Sequence, residues 1–408
     1  MVAAVIISIC VLLLISYFFD ITTNFTKIPS VILLLAVGWV VQQVSGLFDF
    51  VIPDLFPILP LLGTIGLILI VLEGALELEL NKSKMRIVRK SSLMAFAPLL
   101  IMAVGFALYL KYEWGFNFKE SLINVVPFAV ISSAIAIPSA INLSASKKEF
   151  VTYESSFSDI FGVILFNFAT FGTVITFGGG LTFLWQLLLM IVISLIASLL
   201  LALLLGKIDH HIKYGPIIII CILIYEIAKV YHLPSLIFIL LFGLILGNID
   251  EFRNFKYFKN IKFTKMNREV FHFKEVVIEA TFVIRSLFFL LFGYVMDTAE
   301  IFNTDYLIWS GAIVLTIFVI RIAFLKLMKL DIKTFLYIAP RGLITILLYL
   351  SITSDQLLPI FNQTILLQVI LMTTLIMMFG LMFTKKDKKN EGDKPSKNEK
   401  VNKEIAEA

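Results

Sequence analysis

Apolar residues in this chain fall in long blocks separated by short charged or breaker-containing stretches. A block of roughly 18–25 apolar residues, coiled as a helix, matches the hydrocarbon thickness of a bilayer. The blocks lie at about 2–19, 28–46, 55–80, 91–110, 121–143, 153–178, 181–206, 215–231, 233–249, 276–296, 305–325, 334–353 and 360–384. They predict an all-α polytopic membrane protein with about thirteen transmembrane helices. Only His232-Leu233-Pro234 separates the eighth block from the ninth, so two spans and one bent segment both remain open. The first block lacks a basic leader and a small-residue cleavage site, which predicts a retained helix.

Charge sets the orientation. With the N-terminus outside, the inner loops hold Lys27; Lys82, Lys84, Arg86, Arg89 and Lys90; Lys147 and Lys148; Lys207 and Lys213; seven basic residues between 253 and 274; and Lys326, Lys329 and Lys333. The outer loops carry little beyond Lys111, Lys119 and Lys229, together with acids such as Asp49, Asp54, Asp297, Glu300, Asp305 and Asp355. That bias predicts a multi-pass protein of the cell (inner) membrane, N-terminus outside and C-terminus cytoplasmic. Residues 385–408 are polar and charged and read as a disordered cytoplasmic tail. The Lys/Phe/Tyr alternation of 250–275 reads as a helix lying at the inner interface.

Composition agrees and narrows the class. The 408 residues are 59% hydrophobic and 15% charged, against about 45–50% and about 25% in soluble domains. Cys10 and Cys221 sit in apolar runs and read as small hydrophobes. No phosphate-binding loop, zinc-peptidase or nucleophile-elbow motif occurs, and the four histidines lie at helix ends or in loops. The sequence therefore implies no enzyme, no nucleotide-driven pump, no cofactor and no nucleic-acid partner.

Two spans carry breakers near their centres. Span five reads Val130-Ile-Ser-Ser-Ala-Ile-Ala-Ile-Pro138, and span twelve reads Tyr337-Ile-Ala-Pro340-Arg341-Gly342-Leu-Ile-Thr345. Proline removes a backbone donor, and the freed groups must find protein, water or an ion. Spans five and twelve are seven apart and so run in opposite directions. Such a pair points to an inverted-repeat transporter, spans four to six mirroring eleven to thirteen, with its site near the midplane.

Ionisable residues within the spans are few: Glu73, Glu154, Asp159, Glu226, Glu279, Arg285, Arg321 and Arg341. Asp159 precedes a long uncharged stretch. A carboxylate there costs about 2.5–3.5 kcal/mol on the lenient insertion scale and marks an ion or proton path. Ser155 shares its helix face, and Ser158 is adjacent. A carboxylate with hydroxyl oxygens suits Na⁺, Li⁺ or a proton. Glu154 points elsewhere on the helix and is expected to form an ion pair with Arg341. Arg321 and Arg285 are candidate charges near Asp159, and Glu73 is a candidate for lining an entry path. Glu279 stands six residues before Arg285, too far for a helical pair.

These residues resemble the monovalent cation/proton antiporter superfamily, closest to its sodium/proton exchanger branch. Glu154-Ser155-x-x-Ser158-Asp159 resembles the family's Glu-Ser-x-x-Asn-Asp signature, and Pro340-Arg341-Gly342-Leu its Leu-Arg-Gly motif. Leu-Glu73-Gly74-Ala-Leu is similar to Phe-Glu-Gly-Gly-Leu. Arg321 sits where the family places a core basic residue, and Glu279-Ala-Thr-Phe resembles a further segment. The resemblance covers roughly residues 55–355. It implies an antiporter-fold homodimer in the lipid bilayer, with two broken crossing helices. Scaffold helices would lie at about 1–80 and 215–296, and a moving core at about 91–178 and 305–384. A monovalent cation, Na⁺ with Li⁺ open, and H⁺ would compete for Asp159, with Ser155 and Ser158 helping to hold the ion and Glu154–Arg341 as the structural pair. The chain departs from the family at Ser158, where Asn is usual, and at Ile137, aligned on Pro138 with the acid of a Thr-Asp-Pro motif. A single site carboxylate implies one-for-one, electroneutral exchange. K⁺/H⁺ exchange and, from another class, a cation channel are the alternatives.

Overall fold

The computed structural model describes residues 2–383 except 27–29, 48–57, 79, 81–83, 141, 172–176, 208–211, 232, 234, 251–262 and 296–302. Among the described residues the regular structure is helical, without a strand. The helices are α1 (Val2–Thr26), α2 (Ser30–Leu47), α3 (Ile58–Glu77), α4 (Met85–Trp114), α5 (Phe118–Ala129), α6 (Ser133–Ser139), α7 (Ala145–Phe171), α8 (Phe177–Lys207), α9 (Tyr214–Val230), α10 (Leu236–Gly247), α11 (Phe263–Val295), α12 (Thr304–Leu327), α13 (Ile332–Phe335), α14 (Leu343–Leu350) and α15 (Gln363–Phe383). Helix is the form that lets an apolar segment satisfy its own backbone away from water. Seven segments among the described residues are long and apolar enough to cross a membrane.

The polar joints between blocks start and stop these helices. Asn117, Asn303 and Asp331 are N-caps, each accepting from the backbone N–H two residues on. Gly115 closes α4 in the left-handed conformation, φ 71°, with its N–H on the Lys111 carbonyl. Several helices run beyond the expected spans. α7 begins at Ala145 rather than near 153. Residues 263–275, expected in a separate interfacial helix, are instead the opening turns of the 33-residue α11. Nothing between 263 and 276 breaks a helix, so the charged turns simply continue the apolar span. Residues 251–262 and the tail 385–408 lie outside the described residues.

α11 packs on α2 and α3, and α10 packs on α3 and α8. On the other side α4 packs on α5 and α7, α5 and α6 pack on α7, and α12 packs on α15. α3, α10 and α14 supply contacts between these sets, with α3 and α10 both touching α7. Small residues allow close helix approach at one crossing. A Cβ at Gly38 of α2 would run into the Leu290 carbonyl, and one at Gly293 of α11 into the Leu35 backbone.

Among the described residues, helical bonding is interrupted at 130–132 between α5 and α6 and at 336–342 between α13 and α14. The two interruptions touch, with the Ser132 N–H donating to the Pro340 carbonyl at 2.9 Å. Pro340 and Gly342 lie in the second. The expectation that Pro138 marks the first is corrected: Pro138 lies inside α6, and the interruption precedes it by six to eight residues. Proline is tolerated in membrane helices, and Pro98 and Pro127 also sit inside helices here. The interruption falls instead at Ile131 and Ser132, whose N–H groups find partners on other elements, Ser158 Oγ of α7 and the Pro340 carbonyl.

Two predictions follow from the packing. Gly38→Leu should lower the unfolding temperature of detergent-purified protein, at a cost of about 1–3 kcal/mol. Gly105→Ala, where a Cβ meets nothing within 4 Å, should not. The second concerns Asp331, which binds the Lys147 ammonium at 2.9 Å and the Thr334 hydroxyl at 2.7 Å. Partial burial pushes its carboxyl up, but those bonds outweigh it and hold the group below the ordinary carboxylate range. A carboxyl lowered on folding stabilises fully above its unfolded value, near 4, and loses that contribution as pH falls through the folded value. The stability difference between wild type and Asp331→Asn should therefore stay constant from pH 6 to 8 and shrink below about pH 4.

Candidate functional site

Asp159 lies in the interior half of α7, and the residue is only 4% exposed. Its Oδ2 accepts a short hydrogen bond from the Ser133 hydroxyl and a longer one, 3.4 Å, from the Ser133 N–H. Ser133 is the first residue of α6 after the interruption, so its N–H has no acceptor within the helix. Oδ1 of Asp159 is buried without a hydrogen-bond partner. Asp159 also lines a cavity of about 10 Å³, room for the order of one water molecule. Val71 of α3, Ile160, Val163 and Ile164 of α7, and Leu236 and Ile237 of α10 line the rest of it. The carboxylate thus sits where α7 meets α3 and α10.

The expected Glu154–Arg341 ion pair is corrected. Glu154 is bound by Arg321 of α12 in a two-pronged pair, Nη1–Oε1 2.7 Å and Nη2–Oε2 3.1 Å, with the side chains 2% and 3% exposed. Arg321 Nε adds a bond to the Phe335 carbonyl at 2.8 Å, at the end of α13. The planar guanidinium fork matches a carboxylate, and burial makes the pairing obligatory. Arg341 serves carbonyls instead. Its Nε donates to Phe128 O at 2.8 Å, Nη1 to Ala339 O at 2.8 Å and Nη2 to Ala129 O at 3.2 Å. Those carbonyls belong to the end of α5 and to the second interruption. A side chain within the break is nearer to the break's own orphan carbonyls than to α7, which sequence order does not reveal.

The serines divide similarly. The Ser155 hydroxyl donates back to the Val151 carbonyl at 2.8 Å. Ser158 Oγ accepts from the Ile131 N–H at 2.9 Å and so ties α7 to the first interruption. Neither bonds to Asp159; Ser133 does. The sequence signal for Ser133 was the hydroxyl pair Ser132-Ser133 in an otherwise apolar run. On the helix that follows the first interruption, the residue bonded to Asp159 is Ser133, four positions before Ile137.

The other charges lie elsewhere. Arg285, expected near Asp159, is 3.9 Å from Asp20 of α1. Glu73 of α3 faces Thr281, Arg285 and Lys274 of α11. Glu279 is on an exposed face of α11. Among the described residues no ion pair engages Asp159, and no group of three or more His, Cys, Asp or Glu forms a metal cluster.

No curated protein matches the chain. A structure of the sodium proton antiporter MjNhaP1 from Methanocaldococcus jannaschii at pH 8 matches with a TM-score of 0.67 and 17% identity, over 93% of this chain and 96% of that one. A second, from an EM map of the same antiporter, matches with a TM-score of 0.65 and 19% identity, over 94% and 95%. These likenesses establish the antiporter fold. The family model for the sodium/hydrogen exchanger transmembrane domain matches residues 9–385. The chain therefore belongs to the sodium/hydrogen exchanger family of multi-pass membrane cation/proton antiporters.

Proposed function

We propose that this antiporter exchanges Na⁺, and also Li⁺, for H⁺ at a single carboxylate, Asp159. The observation that carries the reading is the contrast between two neighbouring acids on α7. Glu154 is neutralised by Arg321, whereas Asp159, which lines a cavity, has one oxygen without a hydrogen-bond partner and, among the described residues, no ion-pair partner. A buried carboxylate without a counter-charge is costly as an anion, and a proton or a monovalent cation relieves that cost equally. Each displaces the other, so one charge travels each way and the exchange is electroneutral. The hard oxygen ligand suits Na⁺ and Li⁺.

In this reading the two interruptions are the crossing of an inverted repeat, thirteen spans carry the chain from an outside N-terminus to a cytoplasmic C-terminus in the cell membrane, and the protein works as a homodimer. Helices at about 1–80 and 215–296 form the scaffold, and those at about 91–178 and 305–384 the moving core. The cavity supports this division, since α7 provides Asp159 and α3 and α10 provide the aliphatic wall. Sliding the core past that wall would expose the carboxylate to one side at a time. The solved relative is a sodium proton antiporter, which supports Na⁺ over K⁺.

In proteoliposomes with an imposed pH gradient, added Na⁺ or Li⁺ should move internal pH through wild type, and Asp159→Asn should abolish the response. Clamping the membrane potential at zero should leave the wild-type rate unchanged; a net transport current would contradict electroneutrality, and a response to K⁺ alone would replace the sodium reading. Glu154→Gln and Arg321→Met should each destabilise the protein by about 3–5 kcal/mol, because each strands a buried charge. The double variant should recover part of that loss, read as unfolding temperature in detergent.

A further inference from the structure

We infer that the exposed side of the first turns of α4 is a docking surface for an anionic phospholipid headgroup, held by Arg86, Arg89 and Lys90; the inference rests on the membrane orientation proposed above and on no property of Asp159. The three cations are exposed, and with Arg89 and Lys90 three and four residues after Arg86 they share one face of the helix. The same face continues through Leu93, Ile101 and Leu108, all exposed, to the exposed Lys111. From Lys90 to Lys111 it covers roughly 30 Å, the thickness of the hydrocarbon layer. The apolar stretch therefore faces lipid tails, and the cations at its Met85 end stand at the level of the headgroups.

These cations differ from others at the inner ends of the helices in having no acid to answer them. Lys84 pairs with Glu149, Lys147 with Asp331, Lys213 with Glu269 and Lys274 with Glu77. Among the described residues no ion pair engages Arg86, Arg89 or Lys90, and the first turn of α4 holds no acid. Nor do they serve the helix, since cations at its start oppose the macrodipole. Positive charge on the inner side of a membrane requires no particular helix face. Here it is gathered on the one face that meets lipid, and the group of opposite charge at that level is a headgroup phosphate. Guanidinium forks bind phosphate oxygens two at a time, and long apolar stems let the charged heads stay in the polar layer. Each cation near an anionic surface strengthens attachment roughly fivefold, so three together contribute on the order of a hundredfold. α4 packs on α5 and on α7, so a lipid held here grips the body that carries Asp159.

The test titrates detergent-purified protein with phosphatidylglycerol, phosphatidylcholine or inorganic phosphate, reading the unfolding temperature and, by native mass spectrometry, the lipid that stays bound. Phosphatidylglycerol should bind and stabilise wild type, less so as salt is raised, and the other two should do neither. Arg86→Gln/Arg89→Gln/Lys90→Gln should raise Kd for phosphatidylglycerol by on the order of a hundredfold. Should that variant fail to fold, Arg89→Gln alone carries the test, with a rise of roughly fivefold. Arg86→Lys/Arg89→Lys, which keeps the charge, should keep most of the affinity. Lys326→Gln/Lys329→Gln/Lys333→Gln removes the same charge from exposed positions elsewhere and should leave Kd unchanged. Unaltered affinity in the Arg86, Arg89 and Lys90 glutamine variants would overturn the inference, as would an equal loss in the Lys326, Lys329 and Lys333 variant. An equal response of wild type to inorganic phosphate would overturn it by marking a site for soluble anions. Detergent exposes both ends of α4, so these outcomes are independent of orientation, which labelling of Lys90→Cys by an impermeant reagent in sealed vesicles reads separately.

Discussion

Every backbone N–H and C=O that leaves a helix inside hydrocarbon must find a partner, and the centre of this protein is organised by that requirement. Among the described residues the chain leaves helix in its interior at 130–132 and at 336–342, and each departure is repaired largely by the other. Ser132 donates to Pro340, Arg341 reaches back to the Phe128 and Ala129 carbonyls, and Ser158 takes the Ile131 N–H. The residues around Asp159 are positioned by backbone bonds and a buried guanidinium rather than by flexible side chains on a surface.

The same economy separates the two acids of α7. Glu154 and Asp159 lie five residues apart on one helix, yet their surroundings are opposite in kind. Arg321 closes on Glu154 with both prongs and ties α7 to α12 and to the end of α13. Asp159 turns toward the α5–α6 interruption and an aliphatic cavity, where a single serine supplies its bonds. A paired buried charge is structural and leaves nothing for an ion to do. An unpaired one with a free oxygen is where exchange chemistry can take place.

The wall opposite Asp159 belongs to α3 and α10, whose side chains there are Val71, Leu236 and Ile237. An apolar wall offers no ligand to a cation and no acceptor to a proton, so near Asp159 the polar groups are those of α6 and α7.

Much of this was legible in the residues. Blocks of about twenty apolar positions determine helices, since hydrocarbon leaves the backbone little else. The isolation of Asp159 in such a block, and of Pro340-Arg341-Gly342 in another, was visible because polar groups and breakers are costly there. Partner choice was not visible. Arg321 and Arg341 are equally plausible mates for Glu154 along the chain, and the difference lies in where each guanidinium arrives. Arg341 arrives among the orphan carbonyls of its own break, and Arg321 arrives facing α7. Pro138 was a misleading marker for the same reason: proline weakens a helix locally, but the interruption forms where neighbouring helices offer partners to Ile131 and Ser132. Covalent order determined which segments are helical and which acid is exposed to an apolar environment. Only the packing of helices distant in sequence decided which serine touches Asp159, because a hydrogen bond depends on ångström-scale placement that no spacing along one helix specifies.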